Sequence, residues 1–186
     1  MKRIIIATDG SAVTGQRSAF DSASSYIILK DGEKIKHETT VLRDHTNNYA
    51  EMHAIYKGTK YCLEHILNLN EYEEILIITD SQLCQKSLTM WMSGWLKKAQ
   101  NELLVNSTGE AVKNQELIKS TYINILSLML QIDVHVCHIN SHEPKSKVPQ
   151  MYEKASKLIK ELSYEEFVLM YEANNACDVA ARDALK

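Results

Sequence analysis

Charge of one sign is what this chain most plainly lacks. Its 21 Lys and Arg against 24 Asp and Glu leave a formal net charge of −3 over 186 residues. That excludes a protein held on nucleic acid by overall positive charge, because affinity for phosphate scales with local Lys and Arg contacts. Any such surface here has to be a local patch. The four cysteines, Cys62, Cys84, Cys137 and Cys177, form no Cys-x-x-Cys pair and sit inside apolar periodic segments. They read as reduced, buried thiols of a cytoplasmic protein. Two prolines and six glycines leave no low-complexity tract, and no internal repeat is visible. Long apolar runs are also missing. The stretch from Tyr122 to Ile132 falls far short of the roughly 20 residues that span a bilayer. Met1-Lys2-Arg3-Ile4-Ile5-Ile6 begins like a signal peptide, but Asp9 halts it too early for secretion. The expectation is a monomer with no membrane segment and one domain over residues 1–186, whose 45% hydrophobic composition supports one substantial core.

What is present is a clear alternation of element types. Ile4 to Thr8 is continuously apolar and β-branched, which suits a buried central strand. Ser22 to Leu29 and Lys34 to Leu42 flank Lys30-Asp31-Gly32-Glu33, a hairpin signal. From Asn48 to Leu69 the apolar residues Met52, Ile55, Tyr56, Cys62, Leu63, Ile66 and Leu67 recur at helical spacing. Glu73 to Thr79 reads as a fourth strand, parallel to the first because a helix intervenes. Two short helices follow at Ser81–Leu88 and Met90–Gln100, then a loop at 105–109. A longer helix, Asn114–Leu130, should bury Leu117, Ile118, Tyr122, Ile125, Leu126 and Met129 on one side. A strand at Asp133–His138 and a closing helix from Asn175 complete the order. This describes an α/β chain with a five-stranded mixed sheet flanked by helices.

Four acidic residues occupy telling places in that order. Asp9 and Asp80 end the apolar runs of the first and fourth strands, while Glu51 and Asp178 lie near helix starts. Asp9 followed by Gly10 is also a turn signal, and Glu51 with Asn48 is also a helix cap. Together, however, the four could converge at one edge of the sheet. Such a cluster repels itself unless cations neutralise it, and hard oxygen ligands suit magnesium or manganese. The chemistry this favours is two-metal hydrolysis of a phosphodiester.

The flanking residues sharpen this. Thr8-Asp9-Gly10-Ser11, Thr46-Asn47-Asn48-x-x-Glu51, Thr79-Asp80-Ser81-Gln82, Trp91-x-x-x-Trp95, Val112-Lys113-Asn114, Ser141-His142 and Asn174-x-x-Cys177-Asp178 stand in one order. In that order the chain resembles a type 1 ribonuclease H, an endonuclease that cuts the RNA strand of an RNA–DNA hybrid. The resemblance implies the ribonuclease H-like fold and two Mg2+ (or Mn2+) ions held by Asp9, Glu51, Asp80 and Asp178. It implies that Asn47, Asn48 and Gln82 meet the minor groove of the hybrid and that Thr46 grips a DNA-strand phosphate. Trp91, Trp95 and Asn114 join the substrate surface by the same resemblance. His142 matches a loop histidine that assists proton transfer, with His138 and Asn140 competing in register.

Two departures stand out. The glycine-rich turn after the first Asp-Gly is absent, and about 25 residues are inserted between Pro144 and Asn174, an insert at about 145–173. Its Met151, Ala155, Leu158, Ile159 and Leu162 form an apolar stripe opposite Lys154, Lys157 and Lys160. That pattern predicts a surface helix at the rim of the site, with lysines that could meet phosphates. His135, Cys137 and His138 lack a fourth ligand for zinc. The remaining alternatives are a junction resolvase or exonuclease of the same fold, or a non-catalytic hybrid-binding module.

Overall fold

The computed structural model describes residues 2–13, 21–99, 101–140 and 143–186. One five-stranded sheet has the order β3-β2-β1-β4-β5, made of β1 (Arg3–Ala12), β2 (Ser22–Lys30), β3 (Glu33–Leu42), β4 (Glu74–Thr79) and β5 (Asp133–His138). β1 is antiparallel to β2 and parallel to β4, and β4 is parallel to β5. The hairpin signal holds: Asp31 and Gly32 both take positive φ, as a two-residue β2–β3 turn demands.

Alternation along β1 divides the interior in two. Ile4 and Ile6 join Met52, Ile55 and Cys62 of α1 (Asn47–His65) on one face. Ile5 and Ala7 join Phe167, Met170 and Cys177 of α6 (Tyr164–Asp183) on the other. The first face is also covered by α2 (Gln82–Lys86), α3 (Met92–Lys98) and α4 (Gln115–Met129). Among the described residues no helix is long and apolar enough to cross a membrane.

Several expected boundaries move, each for a visible reason. β1 continues to Ala12, so Asp9 and Gly10 lie inside a strand instead of at a turn; β2 keeps pairing with it after β4 has ended. α1 stops at His65 because Ile66 turns to an extended conformation (φ −95, ψ 105), and Leu67 beyond it is 82% exposed instead of packed. The two helices expected after Asp80 are one helical run, joined by a π turn at Ser87–Trp91. In α4 the buried side is Ile118, Thr121, Ile125 and Leu128, whereas Leu126 and Met129 face out.

The largest correction concerns the segment after Pro144. α5 (Val148–Ala155) ends early, Leu158 is exposed, and Ile159 and Leu162 reach the second core through non-helical chain. The closing helix starts at Tyr164, not Asn175. Ser163 accepts from the Glu166 backbone N–H at 3.1 Å, and Ser163-x-x-Glu166 is a cap pattern readable in the sequence. The end of this segment lies far from the carboxylates. The Lys160 and Glu161 carbonyls accept from Arg3 at the start of β1, six residues or about 20 Å along the strand from Asp9.

Arg3 therefore ties three elements together: its guanidinium bonds Glu74 of β4 and, at 2.5 Å, Glu166 of α6. Removing one member of a buried ionic set strands the others. Replacing Arg3 with Met should lower unfolding free energy by about 3–5 kcal/mol, read from urea denaturation. A loss under about 1 kcal/mol, the level of an exposed pair, would show that the set is not desolvated.

Candidate active site

Each of the four carboxylates is carried by a different element. Asp9 points from β1, Glu51 from the first turns of α1, Asp80 follows β4, and Asp178 comes from α6. Asp9, Glu51 and Asp80 each offer an oxygen such that the three lie within 4.8 Å of one another. Glycine makes this possible. A methyl group at position 10 would sit 2.7 Å from the Ala50 carbonyl carbon and 2.9 Å from Glu51 Cα, so α1 closes on β1 only over Gly10.

Asp178 joins from the other face of the sheet. Asn174 Nδ2 donates to the Thr8 carbonyl at 2.7 Å and Cys177 Sγ to the Ala7 carbonyl at 3.4 Å. These bonds set α6 beside β1 with Asp178 in electrostatic reach of Asp9. Asp178 Oδ2 also accepts from Arg182 at 2.5 Å, a partner one helical turn on that the sequence reading did not single out. Of the motif Asn174-x-x-Cys177-Asp178, then, the first two residues serve to place the third.

The electrostatics are those of a crowded acid cluster. Burial, followed by repulsion from Asp80 and Asp178, pushes the Asp9 carboxyl up to about 8. Glu51 is raised well above its ordinary value by burial and then by Asp9 and Asp80. Asp9 Oδ1 accepts from the Gly10 N–H at 2.6 Å and Glu51 Oε1 from Asn47 Nδ2 at 3.4 Å. Their second oxygens, Asp9 Oδ2 and Glu51 Oε2, are buried with no hydrogen-bond partner among the described residues. Buried carboxylate oxygens without donors, gathered at one point, fit a hard divalent cation.

The expected substrate residues divide into two groups. Thr46, Asn48, Trp91, Trp95 and Asn114 all line one groove of about 790 Å³, together with Lys98 and Lys113. Thr46 caps α1, accepting from the Tyr49 N–H at 3.3 Å, and Asn114 holds φ +56 at the start of α4. The Trp91 and Trp95 rings are 5.7 Å apart, as the four-residue spacing predicted. Asn47 turns to Glu51 instead, and Gln82 is exposed with its carbonyl accepting from Lys86 at 3.4 Å. His142 lies outside the described residues. His138 reaches the Asp80 carbonyl at 3.0 Å, and His135 lies 3.5 Å from Glu74 at the opposite end of β5.

A family model described as RNase H matches residues 1–164. Ribonuclease H of Geotalea uraniireducens is 38% identical over 90 residues, covering 48% of this chain and 54% of that protein. Ribonuclease H of Aeromonas hydrophila is 29% identical over 117 residues, covering 63% of this chain and 66% of that protein. The chain thus spans between half and two thirds of these relatives' length. In shape it is similar to the PFV RNase H domain, with a TM-score of 0.62 at 20% identity, covering 98% of this chain and 94% of that one. It is also similar to a foamy viral protease-reverse transcriptase in complex with RNA/DNA hybrid, with a TM-score of 0.60 at 20% identity over 88% of this chain and 20% of that one.

Two outcomes follow from the crowding. Because Asp9 and Glu51 bind protons more tightly folded than unfolded, the metal-free protein should lose stability as pH rises from about 4 towards 8. In EDTA the melting temperature should fall across that window, and magnesium should restore more of it at pH 8 than at pH 5; a flat profile would contradict the assignment. Substituting Gly10 with Ala should separate α1 from β1 and cut activity more than about 100-fold, while far-ultraviolet circular dichroism stays that of a folded chain.

Proposed function

The chain belongs to the RNase H family, and from that membership we propose that it is a metal-dependent endonuclease acting on the RNA strand of RNA–DNA hybrids. The observation that carries the proposal is the pair of buried oxygens on Asp9 and Glu51, without hydrogen-bond partners among the described residues, within a set completed by Asp80. Asp9, Glu51, Asp80 and Asp178 would hold two Mg2+ or Mn2+ ions. When bound, these ions supply the charge that activates water and stabilises the leaving oxygen.

The remaining side chains position the hybrid. Asn48 and Asn114 carry amides that can both donate and accept, which suits a minor groove displaying 2′-hydroxyls and base edges. Thr46 and Asn114 share a groove wall that can take a DNA-strand phosphate, with Lys98 and Lys113 supplying local positive charge. The two tryptophans give that groove an apolar floor for sugars and bases. Gln82, exposed two residues after Asp80, is proposed to meet the same minor groove. His142 is proposed as an aid to proton transfer and product departure.

Two other readings predict different behaviour. A junction resolvase or exonuclease would share the carboxylates and not the preference for a hybrid. A non-catalytic binding module would gain nothing from burying two carboxylate oxygens that have no donor among the described residues, an arrangement that costs stability. Labelled hybrid, RNA duplex, DNA duplex and single strands, each incubated with magnesium, separate the three: internal cleavage of the hybrid's RNA alone is expected. Asp9→Asn and Asp80→Asn should each reduce that cleavage below detection while melting at or above the parent's temperature in EDTA, since an amide removes charge and coordinates divalent ions poorly. Substantial activity in either folded variant would overturn the assigned site.

A further inference from the structure

A row of half-buried rings begins at His45, just before α1, and runs along that helix. His45 stacks on Tyr49 with centroids 3.7 Å apart and planes 8° from parallel. Tyr49 and His53 follow at 6.2 Å and 15°, and His53 and Tyr56 at 6.2 Å and 42°. The row is fixed from below, because His53 Nδ1 is 2.8 Å from the buried Ser24 hydroxyl of β2. It is continued above by Lys60, whose ammonium lies 5.9 Å from the Tyr56 ring.

Tyr49 and Tyr56 form one wall of a second groove, about 520 Å³, whose other wall is the start of α4 with Gln115, Leu117 and Ser120. Val112 and Asn114 line both this groove and the one that holds Trp91 and Trp95. The two are therefore neighbours across Asn114. Their chemistry differs. The tryptophan groove carries two lysines, whereas this one carries none, and its Glu116 is engaged by Lys119 at 3.0 Å. Aromatic rings beside amides and a hydroxyl, with no lysine lining the groove, suit bases more than phosphates.

We propose that the Tyr49–Tyr56 groove is a stacking platform for unpaired bases, extending the nucleic-acid path beyond the duplex, so that the preferred substrate is a hybrid bearing a single-stranded tail. The platform rests on the hybrid-cleaving reading above, because the groove is reached by a strand leaving the tryptophan groove past Asn114. Aromatic stacking is sequence-tolerant, so the tail is recognised by being single-stranded and not by its base order.

The test uses the full chain carrying Asp80→Asn, to hold substrate uncut, and fluorescence anisotropy in magnesium. Blunt hybrid is compared with hybrids carrying about four unpaired deoxyadenosines at the 3′ or the 5′ DNA end, a length at the low end of single-strand site sizes. A tail on one of the two ends should tighten binding about fivefold or more over blunt hybrid, the scale of one stacked base. Added Tyr49→Ala or Tyr56→Ala should bring the tailed-to-blunt ratio back to about one, while Tyr49→Phe and Tyr56→Phe should keep the gain, since the ring is retained. Equal affinity for tailed and blunt hybrids, or a gain that survives both alanine variants, overturns the platform even if the parent enzyme cuts hybrid normally. If the parent fails to cut any hybrid, the functional reading falls, and the platform falls with it as part of a hybrid's path.

Discussion

The repulsion among Asp9, Glu51 and Asp80 is the force that the surrounding structure is arranged to oppose. Three acids whose oxygens lie within 4.8 Å of each other would separate if their elements could slide. They cannot, because α1 rests directly on the backbone of β1 at Gly10, and at Gly58 an added methyl group would run into the Ile6 side chain. On the opposite face Asn174 and Cys177 bond the carbonyls of Thr8 and Ala7. β1 is therefore clamped from both sides over the residues that precede and follow Asp9. The strand itself is buried over its whole central length, so no side of it is free to relax towards water.

That clamp has an energetic counterpart at the other end of the sheet. Arg3 gathers Glu74, Glu166 and two carbonyls where β1 begins, and α6 runs alongside β1 from that cluster to Asp178. At one end of the strand two carboxylates share the Arg3 guanidinium; the other end gathers four acids, with Arg182 the cation that the structure shows paired with Asp178. The larger excess of acid belongs to the end where external cations can enter. A fold with all its charges satisfied internally would have nothing there to attract a divalent ion.

Much of this was legible in the residues. The strand order followed from apolar runs, one Asp-Gly turn and the helical spacing between Met52 and Ile66. The four acids followed from their places in motifs, and the structure brings Asp9, Glu51 and Asp80 into one cluster with Asp178 beside Asp9. Asp178 is informative because the family match ends at 164, before α6 is under way; its nearness to Asp9 comes from the Asn174 and Cys177 side chains bonding the carbonyls of β1, contacts that no spacing rule announces. The failures also have physical causes. The Met151–Leu162 stripe mimicked one helix because Ile159 and Leu162 are buried, yet Glu161 at φ +52 and the Ser163 cap break the segment. Leu126 and Met129 look like core by composition and are exposed, since only one side of α4 meets α1. Arg3 was missed because a long-range ionic partner leaves no periodic trace, whereas Arg182 stands four residues after Asp178, a helical spacing that was there to be read.

The π turn at Ser87–Trp91 has a bearing on how such a chain can change. Its Met92 N–H reaches back five residues to the Ser87 carbonyl, so this stretch holds one residue more than an α-helix of equal height. The surplus is absorbed locally: Cys84 and Met92 still enter the core on either side of it. Length variation in a lineage is usually sought in loops, where it leaves packed elements undisturbed. Here the middle of a helix is a second place that can store an inserted residue, directly beneath the tryptophans that face the groove.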